Sequence, residues 1–199
     1  GAGGDGGVFV LYGPVTSQVA SGAADVELQG PTASEAGSAL AVGDLDDDGH
    51  LDLVIGAPEA ASRGDVFVML GPVNSGGNLG AVADLRVKGS SASQAGGAVV
   101  ACDTDGDGRP ELVVGAPGMG SSKGKSYLFS GLTSGTLTLT TDMDATLTGE
   151  ATGDLSGSGL ACGETNADAY EDLWVASPEA DSKGTDAGSV YLLTGGAGL

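Results

Sequence analysis

The chain has 199 residues, 38 of them glycine, and its 27 acidic against seven basic side chains give a net charge of −20. Such acidity leaves no basic footprint for phosphates, which argues against nucleic-acid binding and against anionic membrane surfaces. No apolar run is long enough to cross a bilayer, yet 40% apolar content allows a core, built from Val, Leu and Ala because aromatics are only 4%.

Residues 1–7 are a glycine-rich lead. Gly1 is not a natural start, so the chain is expected to be a mature or trimmed piece. Residues 6–14 (GGVFVLYGP) read as a strand bounded by Gly and Pro, and 24–30 alternate as a half-exposed edge strand does. Strands are then predicted at 38–44, 52–58, 64–72 and 83–89. The order recurs at 97–103, 111–117, 124–131 and 144–149, and again at 158–164, 172–178 and 188–195, where no fourth strand follows.

Each unit is thus predicted as four short strands without a helix, thirteen strands in all. The inner strands are apolar on both faces and the outermost alternates, the pattern of a propeller blade. The fold class predicted is all-β, with four-stranded antiparallel β-propeller blades. Residues 1–30 are read as the last two strands of a preceding blade. Blades follow at 31–89, 90–149 and 150–199, the last without its fourth strand. About three blades do not close a ring, so a piece of a larger or self-associating ring is expected.

Between the first two strands of each blade lies an acidic loop. The first, 44–52 (DLDDDGHLD), carries Asp44, Asp46, Asp48 and Asp52 at positions one, three, five and nine, with Gly49 at six. Two unit charges about 4 Å apart repel by about 4 kcal/mol at an effective dielectric near 20. Such a loop is expected where a cation offsets the repulsion, and hard oxygen donors with a turn glycine suit Ca²⁺. His50, at position seven, is assigned only its backbone carbonyl, with its ring in solvent. The second loop, 103–111, offers Asp103, Asp105, Asp107 and Glu111, with the Arg109 carbonyl and Gly108. The third, 164–172, offers Glu164, Asn166, Asp168 and Asp172, with the Tyr170 carbonyl. It has one charge fewer and Ala169 in place of the glycine, so up to three Ca²⁺ are expected, the third weakest. An EF-hand is rejected: position twelve is Ile55, Val114 or Val175, and strands flank the loops.

The loops begin 59 and 61 residues apart, and a proline, Pro58, Pro117 or Pro178, follows each start by fourteen residues. With Gly-Ala-Pro at 56–58 and 115–117, and a glycine (Gly37, Gly96, Gly157) seven residues before each loop, the unit resembles the FG-GAP repeat, the blade of the integrin α-subunit β-propeller. The family's preceding Phe is replaced by Ala36, Ala95 and Ser156. The resemblance implies Ca²⁺-dependent structure on one face of the ring and, often, an extracellular or cell-surface adhesion role.

Cys102 and Cys162 stand one and two residues before their loops. That parity suggests opposite faces, so they are read as buried thiols rather than as a disulfide. Trp174 takes the place of Val54 and Val113 and is read as core, with a sugar platform as the other possibility. Arg63, Lys123 and Lys183 recur before the third strands, as a cationic spot opposite the metal loops or as surface charge. No nucleophile and base pair emerges, so no enzyme is expected. The function expected is a calcium-binding module with a structural or adhesion role, engaging a protein ligand or self-associating to complete the propeller. The alternative is a carbohydrate-binding or accessory module of a secreted enzyme.

Overall fold

The computed structural model describes residues 4–15, 21–132 and 134–197. The fold is all-β, and its sheets are propeller blades that fan out without closing a ring. The second sheet runs outward from β3 (Ala39–Gly43) through β4 (Asp52–Ala57) and β5 (Asp65–Met69) to β7 (Leu85–Lys88), all antiparallel. The third repeats it with β8 (Ala98–Cys102), β9 (Glu111–Ala116), β10 (Lys125–Phe129) and β12 (Ala145–Thr148). The first holds β1 (Gly7–Val10) and β2 (Val26–Gln29), and the last holds β13 (Gly159–Gly163), β14 (Asp172–Ser177) and β15 (Ser189–Leu193).

Among the described residues there are fifteen strands, two more than the thirteen expected. β6 (Gly77–Asn78) and β11 (Gly135–Thr138) lie in the connections between the third and fourth strands of their units. Each reaches back to the preceding sheet and pairs in parallel with its outermost strand: β6 with β2, β11 with β7. A four-residue helix, α1 (Leu79–Val82), follows β6, and a helical turn occupies Met119–Ser122. The expectation of no helix is corrected by these single turns, which side-chain alternation does not reveal.

Apolar cores fill the gaps between sheets. Neighbouring residues of one strand point to opposite faces, so Ile55 packs toward the first sheet and Val54 toward the third. This explains why inner strands are apolar throughout. At the junctions glycines allow close approach. A Cβ on Gly56 would lie 2.0 Å from the Gly96 carbonyl oxygen, and one on Gly115 would lie 2.1 Å from that of Gly157. The third unit carries Ala176 at this place.

Cys102 and Cys162 form a disulfide, with Cα atoms 5.7 Å apart, which corrects their reading as free thiols. The parity argument holds within one sheet. In stacked blades the forward face of one sheet meets the backward face of the next, so opposite parity is what brings the two side chains together. Gly43 and Ala101 have the same juxtaposition one junction earlier, where a Cβ on Gly43 would be 2.7 Å from that of Ala101.

Trp174 is half-buried, not core. Val54 and Val113, its counterparts, are covered by the next sheet. Trp174 lies on the forward face of the last sheet, which no other sheet covers among the described residues, beside Val190 (64% exposed) and Leu192 (44% exposed).

Candidate metal centre

The three acidic loops connect β3 to β4, β8 to β9 and β13 to β14. Each loop is shaped by its own carboxylates accepting backbone N–H groups. Asp44 accepts from Asp48 and Gly49 (3.1 and 2.9 Å), and Asp48 accepts from His50 (2.8 Å). Asp103 accepts from Gly106 and Gly108 (2.8 and 3.0 Å), and Asp107 from Arg109 (2.8 Å). Position six is left-handed in all three, with φ of +87° at Gly49, +91° at Gly108 and +74° at Ala169. A glycine adopts this freely; the Ala169 methyl is strained there by about 1 kcal/mol.

The loops bring together only part of each expected ligand set. Carboxylate oxygens of Asp44, Asp46 and Asp48 lie within 4.8 Å of one another, as do those of Asp103, Asp105 and Glu111. Asp52, at position nine of the first loop, is fully buried. It accepts from the Leu45 amide on one oxygen and the Gly71 amide on the other, both at 2.8 Å. It ties the loop to the end of β5. Glu111, one methylene longer, accepts from the Thr104 amide and hydroxyl and still joins its cluster. Asp107 stands outside that cluster.

The third loop differs. Among the described residues, no three of its acids converge in this way. Asn166 donates from its amide to Asp168 at 2.8 Å, and Glu164 accepts from the Asn166 and Ala167 amides. Asp172 accepts from Thr165 through both amide and hydroxyl and from the Gly195 amide.

Burial pushes the Asp52 and Glu111 carboxyls above the ordinary range, against the opposing pull of the hydrogen bonds they accept. Asp172 is held below its ordinary value, chiefly by the Thr165 hydroxyl.

The donor sets fit a hard cation. In the first loop Asp46 Oδ1 is closed off from solvent and has no hydrogen-bond partner. A converged cluster with an orphaned carboxylate oxygen suits Ca²⁺, which takes six to eight oxygen ligands.

At position seven the side chains of the second and third loops reach a neighbouring loop. The His50 ring is exposed, but Arg109 reaches back from the second loop and donates to the Asp46 carbonyl at 3.1 Å. The Tyr170 ring lies over Gly106 of the second loop, close enough that a Cβ there would be 2.8 Å from it. The loops are thus chained, each resting on the one before. Arg63, read as part of a cationic spot or as surface charge, is bonded to the buried Asp65.

Comparison with known proteins gives three findings. A family model described as FG-GAP repeat matches residues 36–69 and 95–129, the loops and inner strands of the first two units. The chain is similar to integrin alpha-7 of Rattus norvegicus, 37% identical over 71% of this chain and 12% of that protein. It is also similar to phosphatidylinositol-glycan-specific phospholipase D of Bos taurus, 31% identical over 96% of this chain and 24% of that protein. The chain therefore spans between about an eighth and a quarter of the length of these relatives.

Proposed function

Because the chain is an FG-GAP repeat protein with integrin-like blades, we propose that it is a calcium-binding module with a structural or adhesion role, presented outside the cell. The observation that carries the reading is the first loop, where three aspartates converge and the Asp46 Oδ1 lacks any partner. Asp44, Asp46 and Asp48 would hold one ion and Asp103, Asp105 and Glu111 a second. A bound ion neutralises clustered charge and pins the first hairpin of each blade. The third loop, with an amide ligand and a strained Ala169, is the weakest of the three.

An oxidising compartment accords with the Cys102–Cys162 disulfide. The partner is a protein ligand or a second copy. No reaction is assigned to this chain, and the activity named for the phospholipase relative is not carried over to a quarter of its length.

Isothermal titration tests the proposal. Two tighter sites and a weaker third are expected, with Asp46→Asn removing one of the tighter pair. Heat signals unchanged by that substitution would overturn the assignment.

A second reading, an accessory or carbohydrate-binding module, draws on the 96% coverage by the phospholipase relative and on Trp174. Trp174 borders an open hollow of about 220 Å³ with Leu160 and Val190. A glycan array discriminates: binding lost in Trp174→Ala favours this reading.

A further inference from the structure

Arg109 belongs to the second loop by its main chain and to the first by its side chain. Its backbone amide donates to Asp107 of its own loop at 2.8 Å, and its carbonyl is the position-seven donor of the second ligand set. Its guanidinium, through Nη2, donates to the Asp46 carbonyl at 3.1 Å. Asp46 is a member of the first cluster, and its carboxylate carries the orphaned Oδ1. Among the described residues Arg109 forms no ion pair, although both loops are acidic. A guanidinium bonded to a carboxylate would use up a ligand. Bonded to a carbonyl, it steadies the chain and leaves the carboxylates free.

The next residue reinforces this contact. Pro110 packs on Gly43, directly before Asp44, where a Cβ would lie 3.0 Å from Pro110 Cγ. The same brace recurs one junction on. The Tyr170 ring covers Gly106, and the Glu171 amide donates to the Asp103 carbonyl at 3.0 Å. Positions seven and eight of one loop thus brace the first positions of the loop before it, twice, with unlike side chains. The brace is therefore a property of the stacking, and Arg109 is the member that joins the two converged clusters.

We propose that Arg109 couples the two loops, so that calcium in one raises the affinity of the other about fivefold. The proposal rests on the calcium reading and adds its regulation. With the second loop filled, the Arg109 main chain is fixed at a second point besides its amide. Its side chain then loses less freedom in holding Asp46, and an Asp46 already held leaves less of the first loop to be ordered. Coupling of this kind is reciprocal. The charge of Arg109 does not contribute to the factor, because it is present whether the other loop is filled or empty. Repulsion between two bound cations opposes it, so without Arg109 the factor falls to one or below. The coupling needs the second loop filled, not tight: a change that only weakens the second site leaves the first unchanged once both are saturated.

Calcium titration calorimetry on the whole chain tests it with Asp105→Asn, which empties the second loop, alone and combined with Arg109→Ala. With Arg109 present, Asp105→Asn is expected to weaken the first site about fivefold. In the Arg109→Ala chain the same change is expected to leave the first site unaltered. In the reverse arm, Asp46→Asn is expected to weaken the second site by the same factor. Arg109→Lys keeps the charge and a donor and is expected to restore part of the factor. A loop merely loosened by losing Arg109 would bind more weakly with the second loop filled or empty, so the ratio separates coupling from damage. Two sites that fill independently with Arg109 present, or a factor that survives Arg109→Ala, would overturn the coupling and leave the calcium reading standing. No calcium binding at either loop would overturn both.

Discussion

Glu171 and Asp103 hold each other across the junction between the last two blades. The Asp103 amide donates to Glu171 Oε2 at 2.8 Å, and the Glu171 amide donates to the Asp103 carbonyl at 3.0 Å. The first acid of the second loop is thus positioned by the third unit. Removing the side chain frees that amide and loosens the loop by about 1 kcal/mol. Glu171→Ala is expected to weaken the proposed second calcium site about fivefold while leaving the proposed first one unchanged, as read by titration calorimetry. Equal weakening at both sites would point to lost negative charge rather than lost positioning.

Calcium is expected to raise the melting temperature and chelator to lower it. A site saturated about one hundredfold above its Kd adds about 2.7 kcal/mol. The effect carries a pH signature. The raised pKa values of Asp52 and Glu111 mean that the bare fold binds protons more tightly than the unfolded chain. Their contribution to the bare fold is full below the ordinary carboxylate range and is lost as pH rises through the raised values. Asp172, lowered, has the opposite sign: its contribution is present above the ordinary range and lost as pH falls through the lowered value. Calcium requires ionised ligands, so the difference in Tm between calcium and chelator is expected to be small near pH 4 and to grow toward neutrality. Scanning calorimetry over that range checks it, and a difference undiminished at low pH would exclude carboxylate ligation.

The disulfide closes a long loop, with its cysteines 60 residues apart. Chain-entropy arguments give about 4 kcal/mol for such a closure. The double variant Cys102→Ser, Cys162→Ser is expected to lose about 2–4 kcal/mol in denaturant melts. Because Cys102 directly precedes Asp103, the proposed second calcium site is expected to weaken as well, with the proposed first one unaffected.

Asp65 is fully buried and accepts from Arg63 Nε at 3.1 Å, from Arg86 Nε at 3.1 Å, from Arg86 Nη2 and from the Gly89 amide. The Arg86 guanidinium also lies 5.2 Å over the Phe67 ring. The arginines keep about 30% of their side-chain surface in solvent, so each can rehydrate, whereas the aspartate cannot. Arg86→Ala is therefore expected to be the costlier change, about 2–4 kcal/mol, against about 1 kcal/mol for Arg63→Ala. Urea melts of the two variants compare them directly, and a reversed order would show that Arg63 is the principal partner.

Much of the architecture was legible because it repeats. The spacing of Asp44, Asp103 and Glu164, with the same order of apolar runs around each, points to blades without further help. The crossover strands escaped because β6 and β11 carry no periodicity of their own. They are strands only because a neighbouring sheet offers an edge, and a Gly-Asn pair or a Thr-rich stretch reads locally as loop. The disulfide escaped because parity was judged within a sheet, whereas Cys102 and Cys162 meet between two. Spacing placed Asp52 among the candidate ligands, but a chain pattern does not reveal that its oxygens also accept the Leu45 and Gly71 amides. Trp174 was read from its valine counterparts, which a following sheet covers.

The methyl of Ala176 stands where Gly56 and Gly115 admit a neighbour's carbonyl at about 2 Å from the place a Cβ would occupy. A further blade nesting against the last sheet at the same pitch would bring a carbonyl against this methyl. The same face carries the indole of Trp174 where Val54 and Val113 offer an isopropyl group. Between the described blades two glycines thus allow a tight step, and the last sheet presents an alanine and a tryptophan at the corresponding places.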